Sequence, residues 1–252
     1  MNNITILTTT LYRQNTETRF HLACQLVGNA VAMGYDVVVV DGSVDPAIGR
    51  ALSKIGAKVH RQAGEKGMGN QKRKLFRMVV NDDSKANIFL WTEPEKADLI
   101  RWIPQIVAPI QRGEADLVIP SRTQASYASY PAFQVESERQ INAVFAEVTG
   151  KNFDVAFGPV VFGRRVLSYF AECYPAKRFG VADNYIQDTA RLEAMADGYK
   201  VVSAPVDFFY PPAQKTEEET TLFEIMREKR RRQLEELTHT FRVVGQALKF
   251  KQ

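Results

Sequence analysis

Apolar and polar positions along the chain switch repeatedly between two periods. Residues 4–9, Ile-Thr-Ile-Leu-Thr-Thr, read as a strand; 17–33 then place Phe20, Ala23, Cys24, Val27, Ala30 and Val31 at helical spacing, with Gly34 as the stop. Val37, Val38, Val39 and Val40 follow. A β-branched run of this kind predicts a strand buried on both faces, as in a parallel sheet. Asp41 closes the strand, and Asp45-Pro46 supplies an N-cap and a first helical residue for a helix over 46–55. A strand at 57–60, a helix at 71–80, a strand at 87–91, a helix over 98–111, a strand at 115–119 and a helix over 135–148 continue the alternation. The pattern then loosens into a strand at 159–162, a helix over 184–196 closed by Gly198, and a last strand at 199–206.

This order predicts an α/β fold with a Rossmann-like, mixed but mostly parallel sheet flanked by helices. Near the carboxyl end, Leu234, Leu237, Phe241, Val244 and Leu248 alternate steps of three and four, the mark of an apolar seam on a long helix. Its expected use is packing on its own domain, with homodimerisation as the alternative.

Composition narrows the class. A chain of 252 residues, 45% hydrophobic and 25% charged, suits one large α/β domain or two small ones and excludes disorder. No apolar run approaches the roughly 20 residues that cross a bilayer, and the amino terminus lacks the order of a signal peptide; the expected location is cytoplasmic. Cys24 and Cys173 fall in apolar-periodic stretches and read as buried free thiols. The net charge of +4 is unevenly spread, with Arg227, Lys229, Arg230, Arg231 and Arg232 close together and Glu217, Glu218, Glu219, Glu224 and Glu228 beside them. A solvated helix face and a membrane-surface contact are both compatible with that run. Nucleic acid is not expected as a partner, because the basic residues stay on one acid-balanced helix.

Three places carry candidate chemistry. Asp41 leaves its strand where the ligand crevice of an open α/β sheet lies, within reach of a bound ribose or base. Gly64-Glu65-Lys66-Gly67-Met68-Gly69-Asn70-Gln71-Lys72-Arg73 is a glycine-spaced basic entry to a helix, a plausible anion cradle; the Walker ending is missing, and no dinucleotide signature follows the first strand. Glu93-Pro94-Glu95 follows the 87–91 strand, and paired carboxylates there suit a hard cation on a diphosphate or ordinary helix capping.

Taken in order, these parts resemble the GT-A-fold, nucleotide-sugar-dependent glycosyltransferases, especially the family-2-like group and the glucosylglycerate-type synthases. The marks are Val-Val-Asp-Gly-Ser-x-Asp at 39–45, the glycine-basic helix start at 67–72, the acid triplet at 93–95 and Ala-Asp-Leu-Val-Ile-Pro-Ser-Arg at 115–122. Gly158-Pro159-Val160-Val161-Phe162 and Phe179-Gly180-Val181-Ala182-Asp183 follow. The resemblance covers 1–210, with a nucleotide-binding half at about 1–122 and an acceptor half at 123–210, leaving 211–252 as a helical extension. It implies transfer of a sugar from a nucleotide-sugar donor to a hydroxyl acceptor, metal-assisted, with inversion favoured by the family-2-like features and retention, in which the acceptor-side acid would only position the acceptor, as the alternative. Asp41 would contact the nucleoside, with Thr8 and Thr10 as the other wall. Glu93 and Glu95 would hold a divalent metal, Mg²⁺ or Mn²⁺, although the family usually has two aspartates there. Gly67, Lys72 and Arg122 would serve the diphosphate, and Asp183, with Asp188 as competitor, would be the acceptor-side acid. An aromatic loop carrying Tyr127, Tyr130 and Phe133 could stack an acceptor. The alternative is a catalytically silent relative that binds a nucleotide sugar or a protein partner.

Overall fold

The computed structural model describes residues 3–62, 64, 66–80 and 86–250. Glu65 of the glycine-spaced entry therefore lies outside the described residues. The strands are β1 (Ile4–Thr10), β2 (Asp36–Asp41), β3 (Lys58–Arg61), β4 (Ile88–Trp91), β5 (Leu117–Arg122), β6 (Val160–Gly163) and β7 (Val201–Val206). They form a seven-stranded sheet in the order β3-β2-β1-β4-β6-β5-β7. The register is parallel everywhere except at β6, which runs antiparallel to both β4 and β5. The four valines lie in β2, and all are buried because helices cover both faces of the sheet.

The helices are α1 (Thr18–Ala32), α2 (Pro46–Ile55), α3 (Met68–Val80), α4 (Ile103–Gln111), α5 (Gln124–Ala128), α6 (Ala132–Thr149), α7 (Leu167–Ala171), α8 (Pro175–Phe179), α9 (Ile186–Ala196), α10 (Pro212–Glu219) and α11 (Phe223–Ala247). On one face Phe20, Leu26 and Val27 of α1, Ile48 and Leu52 of α2, and Ile103 and Ile106 of α4 pack with Ile6, Val39 and Leu90. On the other, Phe76 of α3, Phe145 of α6, Phe170 of α7, Ile186 and Leu192 of α9, and Phe241 of α11 pack with Val38, Phe89 and Phe162. Strand alternation explains the split, since neighbouring residues point to opposite layers.

Local chemistry sets the ends. The Ala47 amide donates to Asp45 Oδ1 at 2.8 Å, and Pro46 opens α2 as expected. The single helix expected over 98–111 is instead a 3-10 segment, Ala97–Trp102, followed by α4. Pro104 has no amide hydrogen with which to continue one ladder through the junction. α5, α7 and α8 span five residues each, too few for periodicity to reveal them.

The carboxyl-terminal seam is occupied within the chain. Leu237, Phe241 and Val244 are buried, with the Phe241 ring 5.2 Å from Phe145 of α6 in a T-shaped contact. Gly245 lies so close to α6 that a Cβ there would overlap the Val148 side chain. The expected packing of the seam on its own domain is seen: Leu237, Phe241 and Val244 share the core of the second layer. The basic run is largely paired: Arg231 and Arg232 bind Glu228, and Arg230 approaches Glu138 of α6 at 3.6 Å. Among the described residues no helix is long and apolar enough to cross a membrane.

Candidate functional site

From β1 the chain passes to β2 and β3 on one side, then returns with β4 on the other. In open α/β sheets ligands bind beyond the carboxyl ends of the strands at such a topological switch, here between β1 and β4. Thr8 Oγ1 donates across it to the Thr92 carbonyl at 2.8 Å. Thr10 Oγ1 and the Ser43 amide both donate to Asp41 Oδ1 at 3.0 Å, and Arg61 Nη1 donates to Oδ2 at 2.6 Å. Asp41 is thus fully buried with both oxygens engaged, while Arg61, its side chain 47% exposed, reaches the rim. Gln71 Nε2 donates to the Thr10 and Val40 carbonyls, both at 2.8 Å, and ties the ends of β1 and β2 together.

Gly67, at φ 113°, turns the chain into α3; a side chain would be strained there. The two basic residues that follow do not face solvent. Lys72 Nζ donates to the Asn184 carbonyl and to Gln187 Oε1, each at 2.8 Å, and lies 4.5 Å from the centre of the Trp91 ring. Burial lowers its pKa to about 7, with Glu93 opposing and Arg191 adding to the shift. Arg73 Nη1 donates to the Cys173 carbonyl at 3.2 Å, and its Nη2 binds Asn70 Oδ1 and Asp183 Oδ2. Gly69 makes room for that acid, because a Cβ there would overlap both the carboxylate and the carbonyl of Asp183.

The acid triplet follows β4. Glu95, nearly buried, pairs with Arg19 of α1 at 2.5 Å; Glu93, its side chain 34% exposed, pairs with Lys96 at 3.2 Å and packs against Gly158. Among the described residues no three His, Cys, Asp or Glu side chains converge as a metal-binding group. A cation held by this triplet would have to take Glu95 from Arg19. As arranged, Arg19 occupies Glu95 while Glu93 Oε2 is buried without a hydrogen-bond partner among the described residues, so the two acids do not stand as a ready pair for the divalent metal that the sequence leads one to expect.

The acceptor-half candidates separate. Asp183 keeps its side chain 31% exposed at the rim, whereas Asp188 is buried in the floor and paired with Arg191 of its own helix. Arg191 is also fully buried and donates to the Val155 carbonyl at 3.3 Å; burial lowers its pKa, with Glu93 and Asp154 opposing. Arg122 is enclosed elsewhere. Its Nε and Nη2 grip Asp154 at 2.8 and 2.9 Å, its Nη1 binds Glu138 at 2.6 Å, and the Tyr127 and Tyr130 ring centres lie 4.2 and 4.5 Å away. With that guanidinium buried and engaged, Arg122 is not available to a diphosphate in this arrangement. The expected aromatic loop is instead largely helical, with Tyr127 in α5 and Phe133 in α6, and partly core: Tyr127 Oη donates to Asp154 Oδ1 at 2.6 Å, and Tyr130 packs on Tyr210 with ring centres 4.5 Å apart.

The structure joins these candidates in pairs: Thr10 with Asp41 at the ends of β1 and β2, Asp183 with the first turn of α3 just after Gly67, and Lys72 with the backbone of Asn184. Sequence reading passes over Arg19, Arg61 and Arg191, and it names Arg73 only as a neighbour of Lys72. The partner of Arg73 lies 110 positions away, so spacing carries no signal of the pair.

No protein-family model matches this chain, and no curated protein matches it. Solved structures do. Glucosyl-3-phosphoglycerate synthase from Mycobacterium tuberculosis matches over 83% of this chain and 72% of its own, at 14% identity and a TM-score of 0.53. The same enzyme in complex with Mn²⁺, UDP and phosphoglyceric acid matches over 80% and 68%, at 12% identity and a TM-score of 0.54. CMP:2-keto-3-deoxy-manno-octonic acid synthetase complexed with CTP matches over 90% of this chain and 99% of its own, at 12% identity and a TM-score of 0.53. At these identities the likeness concerns architecture. The chain has a GT-A-type, Rossmann-like α/β fold with a long carboxyl-terminal helix.

Proposed function

We propose that this protein is a glycosyltransferase that moves a sugar from a nucleoside-diphosphate donor to a hydroxyl acceptor. One observation carries the reading: Asp183, the acceptor-side acid, rests on Gly69 at the glycine-basic opening of α3. The donor-side turn and the acceptor-side acid are thereby in contact at one rim. Arg61, exposed and held by the buried Asp41, contacts the nucleoside, and Thr8 and Thr10 hold the strand ends behind it. The opening amides of α3 and the exposed Lys66 face the diphosphate, because the first amides of a helix lack intrahelical acceptors. Glu93 borders the sugar, and Asp183 accepts the proton of the attacking hydroxyl. Direct displacement with such a base inverts the anomeric centre. Solved neighbours hold Mn²⁺ with UDP-glucose. Here Glu95 is paired with Arg19 and Glu93 with Lys96.

Calorimetric titration tests this with UDP, GDP, ADP and their sugar conjugates, in Mg²⁺, Mn²⁺ or EDTA, on wild type and Glu95→Ala. The expected result is one nucleotide that binds in EDTA and keeps its affinity within about threefold in Glu95→Ala, less than one net hydrogen bond. Metal-dependent binding lost in Glu95→Ala would return a cation to the triplet, and binding of no nucleotide would defeat the function. Binding without release of nucleoside diphosphate would identify a catalytically silent relative.

The match to the CTP-bound synthetase, which covers nearly all of that chain, supports a second reading, nucleotidyl transfer to a sugar. Against it, β1 opens into Thr8-Thr9-Thr10-Leu11-Tyr12-Arg13 without a glycine-rich turn. Pyrophosphate release from a nucleoside triphosphate plus a sugar acid would favour it.

A further inference from the structure

The Arg73–Asp183 pair is built asymmetrically, with the cation inside and the acid at the rim. The Arg73 side chain is 7% exposed and that of Asp183 31%. The guanidinium is fixed from several sides: Nη1 by the Cys173 carbonyl, Nη2 by Asn70, and its plane by the Tyr174 ring, whose centre lies 4.6 Å away. Arg73 engages Oδ2 of Asp183, and Oδ1 makes no hydrogen bond to another described residue. The backbone next to the acid is held by the same helix, through Lys72 Nζ on the Asn184 carbonyl. Gly69 lets the whole segment sit directly on the first turn of α3.

We propose that Arg73 is the positioning residue of the transfer reaction: it anchors Asp183 Oδ2 so that Oδ1 faces the acceptor hydroxyl. This rests on the glycosyltransferase reading. In the step it serves, the acceptor O–H gives its proton to Asp183 Oδ1 and the acceptor oxygen bonds to the anomeric carbon. The bond from that carbon to the β-phosphate oxygen breaks, and its electron pair leaves with the nucleoside diphosphate. A carboxylate held by one oxygen keeps its other lone pairs aimed, which is how a base gains from orientation. Because the anchor stands on the helix whose first turn faces the diphosphate, donor site and base share one rigid support.

The test is steady-state release of nucleoside diphosphate, with water as acceptor, from whichever nucleotide sugar wild type binds most tightly. The variants are Arg73→Met, Arg73→Lys, Asp183→Asn and Arg73→Met/Asp183→Asn. Removing a general base costs on the order of 10²-fold or more. Arg73→Met should lower kcat by about that factor with donor KM within twofold, and Arg73→Lys should recover part of the loss. In the Asp183→Asn background, Arg73→Met should add less than about threefold, because residues acting as a unit are not additive. Thermal melting confirms that each variant is folded, and Arg73→Lys keeps the test open if Arg73→Met is not. Multiplicative losses in the double variant, a rise in KM at constant kcat, or unchanged kcat in Arg73→Met would each overturn the proposal. A wild type that binds nucleotide sugar but releases nothing would defeat the functional reading itself, and the proposal with it.

Discussion

Replacing Arg122 by Met tests whether the buried cluster at the end of β5 is structural. The guanidinium makes charge-assisted bonds to Asp154 and Glu138, whose side chains are 6% and 2% exposed. Removing it strands two acids away from water, and breaking a buried pair in this way costs about 3–5 kcal/mol. Arg230, 3.6 Å from Glu138, softens one half of that loss, so the lower end of the range is expected. For a chain of this size each kcal/mol moves the melting temperature by about 2–4 °C, so the variant should melt about 6–12 °C lower. The deficit should also depend on pH. Burial opposes ionisation of Asp154, but the charge and hydrogen bonds of Arg122 outweigh it and hold its pKa below the ordinary value. That contribution is complete above the unfolded carboxylate pKa of about 3.9 and is lost as pH falls through the lower folded value. In Arg122→Met the orphaned Asp154 instead takes up a proton as pH falls from 8 to 5, so the deficit shrinks. Urea unfolding followed by the fluorescence of Trp91 and Trp102 at both pH values measures it. A deficit below about 1 kcal/mol at pH 8, the worth of an ordinary exposed pair, or one equal at both pH values, would refute the argument.

Two further expectations follow from the same packing. Lys72, with a folded pKa of about 7 against about 10.4 unfolded, binds fewer protons when folded, so stability should climb between pH 7 and pH 10 by up to about 1.4 kcal/mol per pH unit. Lys72→Met should make that climb shallower in urea titrations, and an unchanged slope in the variant would acquit Lys72. Phe241→Ala should lower global stability by about 3–5 kcal/mol, because the ring is fully buried between α11 and α6. A variant whose main unfolding transition is unmoved would make 211–252 an appendage after all.

The framework of the fold is legible in the sequence where a residue pattern acts locally. The valine run, the Asp45-Pro46 start and the alternation of periods lead to β2, α2 and the parallel strands, because burial on a sheet and helix capping are short-range demands. The site is legible only in outline. Strand ends and glycine turns set the places of Asp41 and Gly67, and Asp183 meets the first turn of α3. The partners that decide their chemistry do not show in spacing: Arg19 for Glu95, Arg73 for Asp183, Asp154 for Arg122. Each pair joins residues brought together only by tertiary packing. Arg122 is instructive, since a basic residue at a strand's carboxyl end reads as a phosphate ligand until two buried acids claim it.

The reversal of β6 divides the mutable surface of the protein in an uneven way. A parallel strand lends the crevice the loop that leaves it, but β6 lends the loop that enters it, the Val155–Phe157 turn and Gly158 beside Glu93. The chain leaving β6 at Gly163 emerges at the opposite edge of the sheet and passes through a 3-10 turn, Arg164–Val166, into α7. Insertions just before Val160 should therefore reshape which acceptors fit, while insertions just after Gly163 should be silent for specificity. Natural or engineered diversification of this scaffold has one open door on that strand, and it lies upstream.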